Sequence, residues 1–139
     1  MQKTVTKERI CVILILSSIK KGGVLMPFIH TRVSKPIPKE TEAALAKAYG
    51  EAIELIPGKS EKWLMLQFEE NCRMYFQGKN EKPLAFVTVK LVGSASNAAY
   101  ENLTAEITRL LSAFLSIAPD CIYVQYEETD HWGWNGTNF

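Results

Sequence analysis

A strand–helix–strand pattern that occurs twice, in the same order, constrains this chain more than any other feature. The stretch "FIHTRV" alternates apolar and polar residues and reads as a strand. After the turn-forming "SKPIP", the segment "KETEAALAKAYGEAIELI" sets Leu45, Ala48, Tyr49, Ala52, Ile53 and Ile56 three and four residues apart, on one helical face. Pro57 and Gly58 break that helix, and "WLMLQFEE" predicts a second strand. A turn-rich connector, "NCRMYFQGKNEKP", follows, with a hairpin expected around Gly78 to Asn80. The plan then repeats. "LAFVTVKLV" predicts a strand, and "AAYENLTAEITRLLSAFLSI" a helix with Tyr100, Leu103, Ile107, Leu110, Leu111 and Phe114 on one face. "APD" breaks it, "CIYVQYEE" predicts the last long strand, and "TDHWGWNGTNF" reads as a Gly/Asn tail.

A helix crossover makes each strand pair parallel and right-handed. The expected fold is therefore α/β (α+β): a duplicated β-α-β unit forming one four-stranded mixed sheet, with both helices on one face. Alternation sorts the two faces. Ile29, Thr31, Val33, Leu64, Leu66, Phe68, Val87, Val89, Ile122 and Val124 suit the helix side. The opposite phase carries Phe28, His30, Arg32, Trp63, Met65, Phe86, Thr88, Lys90, Tyr123 and Gln125. Four large aromatics on an uncovered face would be an unusual apolar patch, so neighbouring subunits or a ligand should cover it.

Met26-Pro27 poses a separate question. Were Met26 the initiator, Pro27 would become the N-terminal residue, a secondary amine. Lys20-Lys21-Gly22-Gly23 must be encoded AAR-AAR-GGN-GGN, which can read AAAGGAGG, a bacterial ribosome-binding sequence just upstream of Met26. Residues 1–26 are accordingly expected to be a leader from a start placed too early, and residues 27–139 the mature domain. The competing reading, a signal peptide, has an apolar core from Ile10 to Leu16 that is too short to span a bilayer and has no A-x-A-like cleavage site.

Composition narrows the function classes. The net charge of +1 supplies no field for nucleic acid or an anionic membrane. The layout is also that of RNA-binding sheets that stack bases on aromatics. However, no basic-Gly-aromatic run occurs, and Glu69 and Glu127 share the aromatic face. Three cysteines without paired spacing suit a reducing, cytoplasmic compartment, and two histidines without a CxxC argue against zinc. His30 and His131 read as structural or surface groups.

"MPFIHTRVS", "IELIPGKS", "VKLVGS", "LSIAPDCIYVQY" and "WGWNGTNF" together resemble macrophage migration inhibitory factor (MIF) and its tautomerase relatives, in a bacterial-type member. The strand-initial proline, the Ser-x-x-Pro-Asp-x-x-Tyr stretch and the closing Gly-Trp-Asn stand in the family's order. The resemblance spans Pro27 to Phe139. It implies a homotrimer with inward-facing sheets, active sites between subunits, and cofactor-free keto–enol tautomerisation of arylpyruvates such as phenylpyruvate. Pro27 is then the general base. An α-amine ordinarily titrates around 7.7–8.0, and an apolar pocket with a nearby cation lowers that value, leaving a neutral base near pH 7. Phe28, Tyr123 and Trp134 would supply apolar walls.

By the same resemblance Lys59 anchors the substrate carboxylate, helped by the Val92 backbone N–H. Tyr123 and Gln125 come from the neighbouring subunit, Gln125 standing where the family commonly has Asn. Trp132, Trp134 and Phe139 roof the pocket, Trp132 replacing a smaller aliphatic residue. The CxxC that some animal members carry is absent, so thiol–disulfide chemistry is not expected. Animal members are secreted without a cleaved signal and act on receptors. This leaves a second expectation: a cytokine-like, partner-binding homologue whose tautomerase activity is vestigial.

Overall fold

The computed structural model describes residues 26–138. The expected leader, apart from Met26, therefore lies outside the described residues, as does Phe139. The first strand, β1 (Pro27–Val33), is followed by helix α1 (Lys39–Ala52) and strand β2 (Met65–Glu69). The second unit is β3 (Ala85–Val92), α2 (Asn97–Leu115) and β4 (Ile122–Thr129). The sheet order is β2-β1-β3-β4. β1 runs parallel to β2 and antiparallel to β3, and β3 runs parallel to β4. This is the duplicated, mixed four-stranded sheet expected from the sequence.

Both helices cover one face. Tyr49 of α1 exchanges a hydrogen bond with Thr31 (3.0 Å) and stacks on Phe68. Tyr100 of α2 stacks on Tyr126, whose hydroxyl shares a hydrogen bond with Thr104. Burial pushes the Tyr49 phenol well above its ordinary pKa, so it stays a neutral donor within the core. Between these layers lie Ile29, Val33, Leu45, Ile53, Val87, Val89, Leu103, Ile107 and Leu111, all essentially inaccessible to water. In α2 the i, i+4 series Leu103, Ile107, Leu111, Leu115 carries the buried stripe to the helix end. Leu115 closes it, and Phe114 is 41% exposed.

Helix ends follow local chemistry. Ser96 caps α2 by accepting the Ala99 N–H (3.1 Å). The helix stops at Ser116, whose φ of 55° is left-handed. Helix α1 tightens into a 3₁₀ turn at Ile53–Leu55 before Pro57-Gly58. The second strand begins two residues later than alternation suggests. Trp63 and Leu64 donate back to Ser60 and Glu61 in a 3₁₀ turn, Glu61–Trp63, and so do not join the ladder. The tail is ordered as a hairpin of β5 (Gly133–Trp134) and β6 (Thr137–Asn138). Its Asn135-Gly136 turn has both φ values positive, at 54° and 80°, the left-handed pair of a two-residue hairpin. The connector hairpin also forms, Phe76 pairing with Lys79 around Gln77-Gly78.

The other sheet face is open. Phe28, Met65, Phe86 and Tyr123 lie on it, with Met65 68% and Tyr123 56% exposed.

Candidate active site

Pro27 heads β1, an inner strand, and is buried opposite Leu91 of β3. Its surroundings form an open hollow of about 570 Å³, lined by Met26, Phe28, Trp63, Met65, Trp132 and Trp134 among others. Three separate segments meet there. β1 brings Pro27 and Phe28, the 3₁₀ turn before β2 brings Lys62 and Trp63, and the tail hairpin brings Trp134. The Trp63 and Trp134 rings meet edge to face with centroids 5.0 Å apart, a favourable quadrupole geometry that fixes the hairpin against the 3₁₀ turn.

Lys59 lies at the same end of the sheet. A turn closed by its N–H on the Ile56 carbonyl (3.1 Å), with Gly58 at φ 82°, turns the side chain inward. It is only 5% exposed. Its Nζ donates to the Val92 carbonyl at 3.5 Å, the one hydrogen bond it makes among the described residues. Val92 follows Leu91, the cross-strand partner of Pro27, so Lys59, Val92 and Pro27 converge at one corner. Burial lowers the Lys59 pKa from 10.5 to about 8. A buried ammonium with one long hydrogen bond is under-satisfied, and a carboxylate would complete it.

Tyr123 and Gln125 fall elsewhere. Tyr123 is level with Phe86, which is level with Arg32, five residues along β1 from Pro27 and two strands across. The offset is roughly 16 Å along the strands alone. Tyr123 packs edge-on against Phe76 and Phe86 and lines a separate hollow of about 200 Å³. Gln125 is level with Thr88 and exposed. The expected site residues thus fall into two groups at different corners of one chain. Pro27, Lys59, Val92, Trp132 and Trp134 make one, and Tyr123 and Gln125 the other.

Two wall residues went unassigned from sequence. From sequence Trp63 reads as an open-face residue without a role, and Lys62 carries no signal. The signal that could have found Trp63 is the Asn135-Gly136 dipeptide. It announces a hairpin, and a hairpin must pack Trp134 on something. On the open face His30, 7% exposed, makes a 2.5 Å contact with Glu69 across β1 and β2, a structural role for the histidine.

A duplicated β-α-β sheet with proline at the head of an inner strand and a buried lysine at the same corner defines the class: a protein of the tautomerase superfamily plan. The chain belongs to the family described as Macrophage migration inhibitory factor (MIF), whose model matches residues 26–139. It is 30% identical over 84 residues to macrophage migration inhibitory factor of Mus musculus, a match covering 59% of this chain and 72% of the mouse protein. Among solved structures it is similar to Leishmania major MIF2, with a TM-score of 0.76 and 35% identity over 82% of this chain and 97% of that one. It is also similar to the homologue from Prochlorococcus marinus, with a TM-score of 0.73 and 28% identity over 81% and 98% of the two chains.

Proposed function

We propose that the chain, with Pro27 as its N-terminal residue, is a cofactor-free keto–enol tautomerase of phenylpyruvate-like aryl 2-keto acids. The observation that carries this reading is the buried, under-satisfied Lys59 at the corner where Pro27 opens into an aromatic hollow. While Met26 is attached, the Pro27 nitrogen is a tertiary amide and no base. Met26 itself is buried in the hollow, so its removal would leave a secondary amine facing space for a ligand.

The steps follow from the groups present. Lys59, charged below about pH 8, holds the keto acid's carboxylate, and the ring lies against Phe28, Trp63 and Trp134. Neutral Pro27 takes the enol O–H proton and returns it to the carbon beside the carbonyl. In the opposite direction it takes the carbon-bound proton and returns it to oxygen. General base catalysis of this kind contributes about 10²–10⁴-fold.

Two separated half-sites suit a head-to-tail ring, in which one patch of each subunit meets a different patch of the next. A homotrimer of this kind would bring Tyr123 and Gln125 of one subunit to the Pro27 corner of its neighbour. It would also cover the open face, where Met65 and Tyr123 are now exposed.

The test has two parts. The intact mass of untagged protein from its own cells should begin at Pro27. Pro27→Gly should abolish phenylpyruvate turnover with the assembly unchanged. A chain that retains Met26 in its cells, or a Pro27→Gly protein with undiminished turnover, would end the proline-base reading. An effect on partner cells that survives Pro27→Gly would favour the receptor-binding alternative.

A further inference from the structure

The Pro27 hollow has one charged wall residue, Lys62. Every other lining residue (Met26, Pro27, Phe28, Trp63, Leu64, Met65, Trp132 and Trp134) is apolar or aromatic. Lys62 is exposed, and its Nζ lies 5.2 Å from the Trp63 ring centroid. This cation–π contact holds the ammonium against the hollow's aromatic wall. The acid next to it in sequence does not neutralise it. Glu61 turns the other way and lies over Gly50 of α1, so closely that a Cβ at Gly50 would come within 2.6 Å of the Glu61 carboxyl carbon. Among the described residues, no carboxylate forms an ion pair with Lys62. The hollow therefore combines apolar walls with an uncompensated cation at its rim; a second cation, Lys59, does not line it but is buried on the Val92 carbonyl, one residue past the cross-strand partner of Pro27.

We infer that this site selects dianionic ligands: aryl acids with one carboxylate on the side chain and a second anionic group at the far end of the ring. Lys59 takes the first and Lys62 the second, with the ring between Trp63 and the Pro27 strand. This deepens the tautomerase reading and rests on it for the placement of the side-chain carboxylate. Lys62 touches the ligand but not the reacting atoms, so it governs affinity and KM while the proton transfer stays with Pro27.

The experiment is a pair of titrations followed by tryptophan fluorescence, since Trp63 and Trp134 line the site. 3-Phenylpropionate and 3-(4-carboxyphenyl)propionate are titrated into the wild-type protein, Lys62→Met and Lys62→Arg. The corresponding arylpyruvates are then compared in turnover. We expect the dianion to bind roughly 1.5- to 5-fold more tightly, as an exposed ion pair would give. The preference should disappear in Lys62→Met, persist in Lys62→Arg, and shrink in 1 M salt, where charges are screened. In turnover it should appear in KM, with kcat similar for both substrates. Equal binding of the two acids, or a preference unchanged in Lys62→Met, would overturn the inference. Absence of turnover with the binding preference intact would instead overturn the tautomerase reading and leave the ligand class standing.

Discussion

Lys59 shows how burying a charge at a single residue opposes stability. An ammonium 5% exposed with one 3.5 Å hydrogen bond is poorly solvated, and its pKa falls from 10.5 to about 8. The folded protein therefore binds fewer protons than the unfolded chain between about pH 8 and 10.5. Stability should rise as pH climbs through that window, because the unfolded state there holds the extra proton. Below pH 8 the full penalty applies. Lys59→Met is expected to raise unfolding free energy at pH 7 by about 1–3 kcal/mol, read from urea denaturation. The same change should raise KM for phenylpyruvate about 10-fold or more, since a buried charge-assisted hydrogen bond to the carboxylate is lost. In the wild type, KM should rise as pH passes about 8 and Lys59 loses its charge. A flat KM from pH 7 to 9 would remove Lys59 from carboxylate binding.

Single elements place the aromatic walls, and two of them can be tested separately. The tail hairpin depends on Gly136, whose φ of 80° only glycine adopts without strain, although the space around it is open. Gly136→Ala should weaken the hairpin by about 1 kcal/mol. That should loosen Trp134 from Trp63 and reduce their near-ultraviolet circular dichroism. The global urea midpoint should barely move, because the hairpin lies outside the main core. Helix α2 offers the opposite case. Ser116 adopts φ 55° at the C-terminus without glycine's freedom, so Ser116→Gly is expected to stabilise by about 0.5–1 kcal/mol. A lower urea midpoint in that variant would show that the Ser116 side chain has a packing role that outweighs the strain.

For the whole molecule, the separation of Tyr123 from Pro27 makes the strongest prediction. If each active site joins two subunits, Pro27→Gly and Tyr123→Ala should each be inactive alone. Mixed and reassembled, they should regain about a quarter of wild-type sites, because one neighbour pairing in four combines an intact Pro27 with an intact Tyr123. No recovery in verified mixed trimers would place both residues in one subunit's site. Native mass spectrometry should report three chains, and a charge on the open face, as in Met65→Lys, should break the assembly, since Met65 is 68% exposed in the single chain.

Much of this was legible from sequence, because periodicity is a local property. Alternation in "FIHTRV" and "LAFVTVKLV" and the three- and four-residue spacing around Leu45 and Leu103 determined which residues face the helices. They also determined the duplicated order, and hence the mixed sheet with both helices on one side. Pro27 and Lys59 could be named as candidates because "MPFIHTRVS" and "IELIPGKS" resemble the family's motifs; periodicity alone leaves a strand-edge proline and a solvated lysine. What alternation could not show was where the pattern stops. Trp63 fits the strand phase, yet the backbone there prefers hydrogen bonds to Ser60 and Glu61, and this rotates Trp63 into the Pro27 hollow. The inward position of Lys59 likewise ends on the Val92 carbonyl at the close of β3, and the meeting of Trp63 with Trp134 joins residues far apart in sequence. Sequence alone determined the elements, their faces and the chemical types available. Only the tertiary structure decided that Lys59 is desolvated, that Lys62 is left uncompensated by Glu61, and that Tyr123 lies at another corner, because burial and distance arise from contacts between segments that no local pattern encodes.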